Sequence, residues 1–231
     1  PWCCHVDDYK KIGGHDPLFA PQSKEGSDLF NRMYLSEYKL IQSWDALVYH
    51  FTCRGSRFNP ESGGDIGKDS PEWIRTNSKS HKNFIRKWGR PVMHDEFMMP
   101  IVKMRYDIGL AVKNINLKAL ESIEPWFSTI YTDTDCSEYI KNEQKDTNIT
   151  LYLKFLPYDA KKNNDVLVRI EEDSFFSETA LTIAPIISQM LDTINEPGSF
   201  IIPIQNLKKI NVDVHQLVGH EYENIVSKID F

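Results

Sequence analysis

The chain has 231 residues, 41% of them hydrophobic and 26% charged, with 27 Lys and Arg against 33 Asp and Glu and a net charge of −6. A chain of that length buries roughly 70% of its extended surface in one large or two small domains, so a core forms without disulfide staples. The acidic balance argues against a general nucleic-acid binder, and no run in the sequence approaches the roughly 20 apolar residues of a membrane span.

In chain order, residues 1–5 read as the end of a strand. Residues 7–12 read as a short helical turn stopped at Gly13-Gly14, where glycine supplies a bend. Residues 27–38 predict a helix with Leu29, Phe30, Met33 and Tyr34 as its apolar stripe. Residues 39–49 read as a strand that leads to His50, and residues 59–71 as a loop rich in Gly, Ser, Asp and Pro. Ser70-Pro71-Glu72 resembles a helix start, and the helix runs from Trp73 to Trp88 through a Ser- and Asn-rich middle. Gly89-Arg90-Pro91 ends it.

Near residue 103 the pattern changes. Strands are expected at 107–113, 127–131, 149–155, 165–170, 200–204 and 210–214, and helices at 117–123, 137–143 and 176–194. Pro185 either kinks the last helix or marks its start. Alternating strands and helices give an α/β class, with residues 1–103 as one domain and 104–231 as an accessory α/β domain.

Four cysteines, two of them adjacent, make no disulfide framework, and a reducing, cytoplasmic setting is the natural expectation. Trp2-Cys3-Cys4-His5 has metal-ligand residue types without a second pair, so buried thiols are expected there. No signal peptide is visible, and the start at Pro1-Trp2-Cys3 reads as a piece that begins inside a domain.

The stretch that carries chemistry is Gly13-Gly14-His15-Asp16, then Glu25-Gly26-Ser27-Asp28-Leu29-Phe30-Asn31-Arg32, then His50. These residues resemble the acceptor-side half of inverting glycosyltransferases of the GT-A fold. Among them the closest likeness is to metal-dependent β-galactosyltransferases and related family-two enzymes. There a Gly-Gly turn precedes an acidic Glu-Asp-x-Asp segment that opens a helix, and a histidine at the end of the next strand completes a metal site. The likeness covers roughly residues 1–60. It extends loosely further, because Glu124-Pro125-Trp126 is similar to a segment in a bacterial and phage-type group with an extra C-terminal α/β domain.

The resemblance implies a nucleotide-sugar donor, a glycan or other hydroxyl acceptor, and Mn²⁺ or Mg²⁺. Glu25 and Asp28 match the acidic positions that face the acceptor, His50 matches the metal ligand, and Asp16 matches a turn residue near the donor sugar. The residue types suit the reaction: a carboxylate takes the acceptor proton, and a cation or basic groups hold the departing diphosphate. Arg54 and Arg57 flank Gly55-Ser56, as a loop over the diphosphate would, though a solvated basic turn fits the same residues. Trp2 and Trp44 offer faces for acceptor sugar or for the core.

Two departures stand out. Gly26 occupies the position where the family's presumed base is an Asp, so either Glu25 or Asp28 substitutes or the site is degenerate. The family's donor-binding half, with its Asp-x-Asp pair, would precede Pro1. The fragment alone is therefore expected to be inactive. The Asp133-Thr134-Asp135 run reads better as a cap on the following helix. The run His81-Lys82, Arg86-Lys87-Trp88 and Arg90 reads as a solvated basic face or as a contact for an anionic acceptor. The rival to a transferase is a non-catalytic glycan-binding or assembly module.

Overall fold

The computed structural model describes residues 2–49, 56–170, 177–202 and 210–219. Its fold divides into two compact units. Residues 2–49, 56–84 and 91–102 belong to the first; residues 85–90 and the described part of 103–219 belong to the second.

The first unit carries helices α1 (Val6–Lys11) and α2 (Glu25–Leu35) and most of α3 (Pro71–Trp88). Helix α1 complements its own dipole, with Asp7 and Asp8 in its first turn and Lys10 and Lys11 in its last, but buries nothing. Helix α2 is amphipathic. Leu29 and Met33, one turn apart, pack with Ile12 and are ringed by Tyr9, Phe30, Tyr38 and Leu40. The Ser- and Asn-rich middle of α3 faces chain rather than water. Asn77, Lys79, Ser80 and Asn83 all hydrogen-bond to the loop spanning residues 18–23.

Three expectations fail in this unit. Residues 2–5 are irregular, and Cys3 and Cys4 are exposed rather than buried. The expected strand at 39–49 is irregular, with a bend at Trp44-Asp45, and unpaired among the described residues, with Ile41, Trp44, Leu47, Val48 and Tyr49 exposed. Strand propensity reports fit to a pleated neighbour, and that stretch meets none. Trp44, 77% exposed, is not core.

The second unit is α/β, built on a mixed six-stranded sheet in the order β3-β2-β1-β4-β6-β5. The strands are β1 (Ile108–Val112), β2 (Thr129–Thr132), β3 (Lys154–Pro157), β4 (Val166–Ile170), β5 (Gly198–Ile202) and β6 (Ile210–Val214). The first four run parallel, and β6 pairs antiparallel with both β4 and β5. Strands β1 and β2 are buried along their whole length, and β1, Ile-Gly-Leu-Ala-Val, accordingly reads as an apolar run without alternation. Alternate residues Ile108, Leu110, Val112, Ile130, Val166 and Val168 pack with Ala119, Leu120 and Ile123 of α4 (Leu117–Ile123) and with Ile183, Ala184, Ile187 and Leu191 of α6 (Ser177–Leu191). The other face brings Ala111, Tyr131 and Leu167 together, packed by Tyr158 and Ala160 of the β3–β4 connection.

That connection also sets a close approach at Gly109. A Cβ there would stand 2.3 Å from Asn164 Oδ1 and 3.1 Å from the Tyr131 ring. Asn164 is fully used: its carbonyl accepts from the Tyr131 hydroxyl, and its amide donates to Asp107 and Thr129.

Helix α6 runs unbroken through Pro185, so that proline is not its start. Expected strand 149–155 is instead a tight turn at Ile149–Leu151 followed by β3. The Gln144 side chain of α5 (Ser137–Thr147) captures both the backbone N–H and the hydroxyl of Thr150, which holds that segment out of the sheet.

Candidate functional site

The residues singled out for chemistry lie in the first unit. Gly13 and Gly14 both take positive φ, 86° and 69°, a region that glycine enters freely. A Cβ on Gly14 would stand 3.2 Å from the Tyr9 ring, so the turn also needs glycine there for space. Tyr9 reaches across the turn: its hydroxyl accepts from the His15 backbone N–H at 3.0 Å and bonds His15 Nδ1 at 2.7 Å. Trp2, 41% exposed, completes a surface cluster with its ring 5.9 Å from Tyr9, 5.8 Å from His15 and 6.4 Å from Phe30.

Helix α2 clamps this turn from below. Arg32 is fully buried; its Nε donates to Asp28 Oδ2 at 2.9 Å, and its two Nη groups donate to the carbonyls of Ile12 and Gly14, each at 2.6 Å. Asp28 is likewise fully buried. A carboxylate at 0% exposure, engaged with a guanidinium, orients the arginine and does not meet a substrate hydroxyl. Arg32 lacked a role in the sequence reading, yet its i,i+4 spacing from Asp28 was visible there.

Glu25 stands one turn before Asp28 on the same helix face, as the first residue of α2. Its Oε2 is shielded from solvent and has no hydrogen-bond partner. A buried, unpartnered carboxylate oxygen is costly, and such an atom calls for an explanation. Beside it, Gly26 opens space: a Cβ there meets nothing within 4 Å. Gly26 and Phe30 share a face one turn apart, so this gap adjoins the aromatic cluster.

The remaining candidates divide. Asp16, 2% exposed, uses its Oδ1 to accept from the Leu18 N–H and caps the turn Pro17–Phe19. Arg57 forks onto Asp69 at 2.6 and 3.3 Å, and its guanidinium lies over the rings of Phe58 and Trp73, at 5.1 and 4.7 Å from their centroids. It is a stacked, paired arginine. His50 and Arg54 lie outside the described residues. Among the described residues no group of three or more His, Cys, Asp or Glu side chains is disposed to hold a metal ion, and no helix is long and apolar enough to cross a membrane.

In the second unit, the basic run at the end of α3 is neither solvated nor free. Arg86, 1% exposed, bonds Glu124 and, at 2.9 Å, Glu143, while Arg90 forks onto Asp192 at 2.8 and 2.6 Å. The acidic partners come from far along the chain, where local reading does not look. Glu124 of the Glu-Pro-Trp segment also accepts from the Tyr139 hydroxyl at 3.1 Å. Burial and these two carboxylates push the Tyr139 phenol well above its ordinary value. Asp135 accepts from the Ser137 N–H at 2.9 Å just ahead of α5; hydrogen bonds from the Ser137 side chain and then its backbone hold the carboxyl below the usual range, while the N-cap position itself is Cys136.

No protein-family model, curated protein or solved structure matches the chain.

Proposed function

We propose that this chain is the acceptor-side part of an inverting GT-A-type glycosyltransferase that moves a sugar from a nucleotide-sugar donor to a glycan or other hydroxyl acceptor. The observation that carries the reading is the shielded, unpartnered Glu25 Oε2 at the start of α2. A carboxylate oxygen there faces the positive end of the helix dipole and has a lone pair to spare for a hydroxyl. Glu25 takes the acceptor proton, the acceptor oxygen attacks the anomeric carbon, and the bond to the diphosphate breaks with its electrons leaving on the nucleotide. Asp28 serves by fixing Arg32 and the Gly13-Gly14 turn, and Trp2 offers an exposed ring to the acceptor. A divalent ion, with His50 as its candidate ligand, would neutralise the leaving diphosphate when bound.

Gly26 favours one rival. Without a carboxylate at that position, the same surface would bind glycan and not transfer it. A nucleotide-sugar panel with Mn²⁺ separates the two. Glu25→Gln should lower turnover by about 10²–10⁴-fold. An inactive parent that gains turnover in Gly26→Asp, which the open space permits, would establish the binding module instead.

A further inference from the structure

Glu25 is preceded by an unusual backbone. Ser23 and Lys24 both take left-handed conformations, with φ of 80° and 71°, and neither residue type enters that region without being held there. Lys24 occupies the N-cap position of α2 but gives no side-chain cap, so the helix does not fix its own start. A neighbouring element also holds residues 18–24 as the chain arrives at Glu25.

That element is helix α3. Ser80 Oγ donates to the Gln22 carbonyl at 3.0 Å, and Asn83 Nδ2 donates to the Leu18 carbonyl at 3.2 Å. Asn77 Oδ1 accepts from Ser23 Oγ at 2.7 Å, gripping the first left-handed residue itself. Lys79 Nζ adds a bond to the Ala20 carbonyl at 2.7 Å. Ser80 and Asn83 are fully buried, where a hydrogen bond is stronger and its loss is not made good by water. Residues 77, 80 and 83 recur at helical spacing, so one polar stripe of α3 meets one loop. Polar side chains buried in a helix middle are a poor choice for stability alone; here each has its partner within the few residues before Glu25.

We propose that Asn77, Ser80 and Asn83 are positioning residues for Glu25: the polar stripe of α3 dictates the backbone path through Ser23 and Lys24, and that path sets where the Glu25 carboxylate stands. The inference rests on the reading of Glu25 as the base. A displaced base costs rate more than donor affinity, because reach to the acceptor proton enters only in the chemical step.

The test uses the full protein and two readouts. The first is independent of turnover: labelling of Glu25 by a water-soluble carbodiimide with glycinamide, followed by mass spectrometry, with exposed Glu61 as the internal control. The second is kcat and KM in the nucleotide-sugar assay. Asn77→Ala and Ser80→Ala should speed Glu25 labelling by about threefold or more through loop opening, with Glu61 unchanged. They should lower kcat by about tenfold with donor KM held within about twofold. Asn77→Asp keeps the acceptor oxygen for Ser23 and should restore both readouts. Should Ser80→Ala fail to fold, the half-buried Asn77 pair decides alone. Unchanged Glu25 labelling overturns the proposal, as does faster labelling with kcat intact, or failure of Asn77→Asp to rescue. Faster labelling, rescued by Asn77→Asp, in a parent that turns over no donor keeps the positioning of Glu25 and refutes the transfer reading.

Discussion

Two carboxylates on one face of α2 should respond in opposite ways to neutralisation. Asp28→Asn keeps the side-chain size but leaves the Arg32 guanidinium, at 0% exposure, without its counter-charge. Breaking a buried pair from one side costs about 3–5 kcal/mol. For a chain of this size each kcal/mol lowers Tm by about 2–4 °C, so a fall of about 10 °C is expected. Glu25→Gln removes no bond from Oε2, which has none, and relieves a desolvated charge. Its Tm should hold within about 1 °C or rise. Thermal unfolding followed by circular dichroism gives both numbers, and a urea titration checks that the slope is shared. Replacing the pair together, as Asp28→Leu with Arg32→Met, should recover part of the Asp28→Asn loss, since apolar substitutes leave no orphan charge, although the Ile12 and Gly14 carbonyls stay unmet. An Asp28→Asn protein with the parent Tm, or a Glu25→Gln protein that melts several degrees lower, would refute the division of labour between these two residues.

The two glycines near that site should part company as well. Gly26→Ala has open space and ordinary helical geometry, so it should stabilise by about 0.5–1 kcal/mol, while Gly14→Ala meets both a φ of 69° and the Tyr9 ring and should destabilise by about 1–3 kcal/mol; denaturant midpoints measure both. In the second unit, Glu124→Gln strips the closest counter-charge from buried Arg86 and should cost about 3–5 kcal/mol by the same assay. The raised Tyr139 phenol gives a signed pH dependence. In the unfolded chain it ionises near pH 10, but in the fold it stays protonated beyond that, so its stabilising contribution is whole below about pH 10 and is lost as pH rises further. Tyr139→Phe should flatten that alkaline slope, and a slope identical in the variant would assign it elsewhere.

Much of the second unit was legible because its elements are decided locally. Residues 108–112 are a short apolar run, residues 210–214 alternate apolar and polar, and both are strands. In the first unit, Pro71 marks the start of α3 as a first-turn residue does. What the sequence concealed were features that depend on a distant partner. Residues 39–49 carry strand-forming side chains but meet no neighbouring strand among the described residues. Arg86 and Arg90 read as a solvated end until Glu124, Glu143 and Asp192 arrive from elsewhere in the chain. The serines and asparagines of α3 weaken a helix by propensity, and only the loop they hold accounts for them. At the candidate site, the carboxylates and the double glycine were visible by type, but which carboxylate is satisfied and which is spare depends on where Arg32 points.

The contact between Gly109 and Asn164 also has an evolutionary reading. Any side chain at position 109 collides with the Asn164 amide, and any residue but Asn at 164 strands the Tyr131 hydroxyl or the Asp107 carboxylate. Neither position can drift alone. Distant kin that share this sheet should therefore keep glycine and asparagine together or exchange both at once, along with the tyrosine on the neighbouring strand. That linked trio is a fingerprint by which such kin can be recognised after overall resemblance has faded.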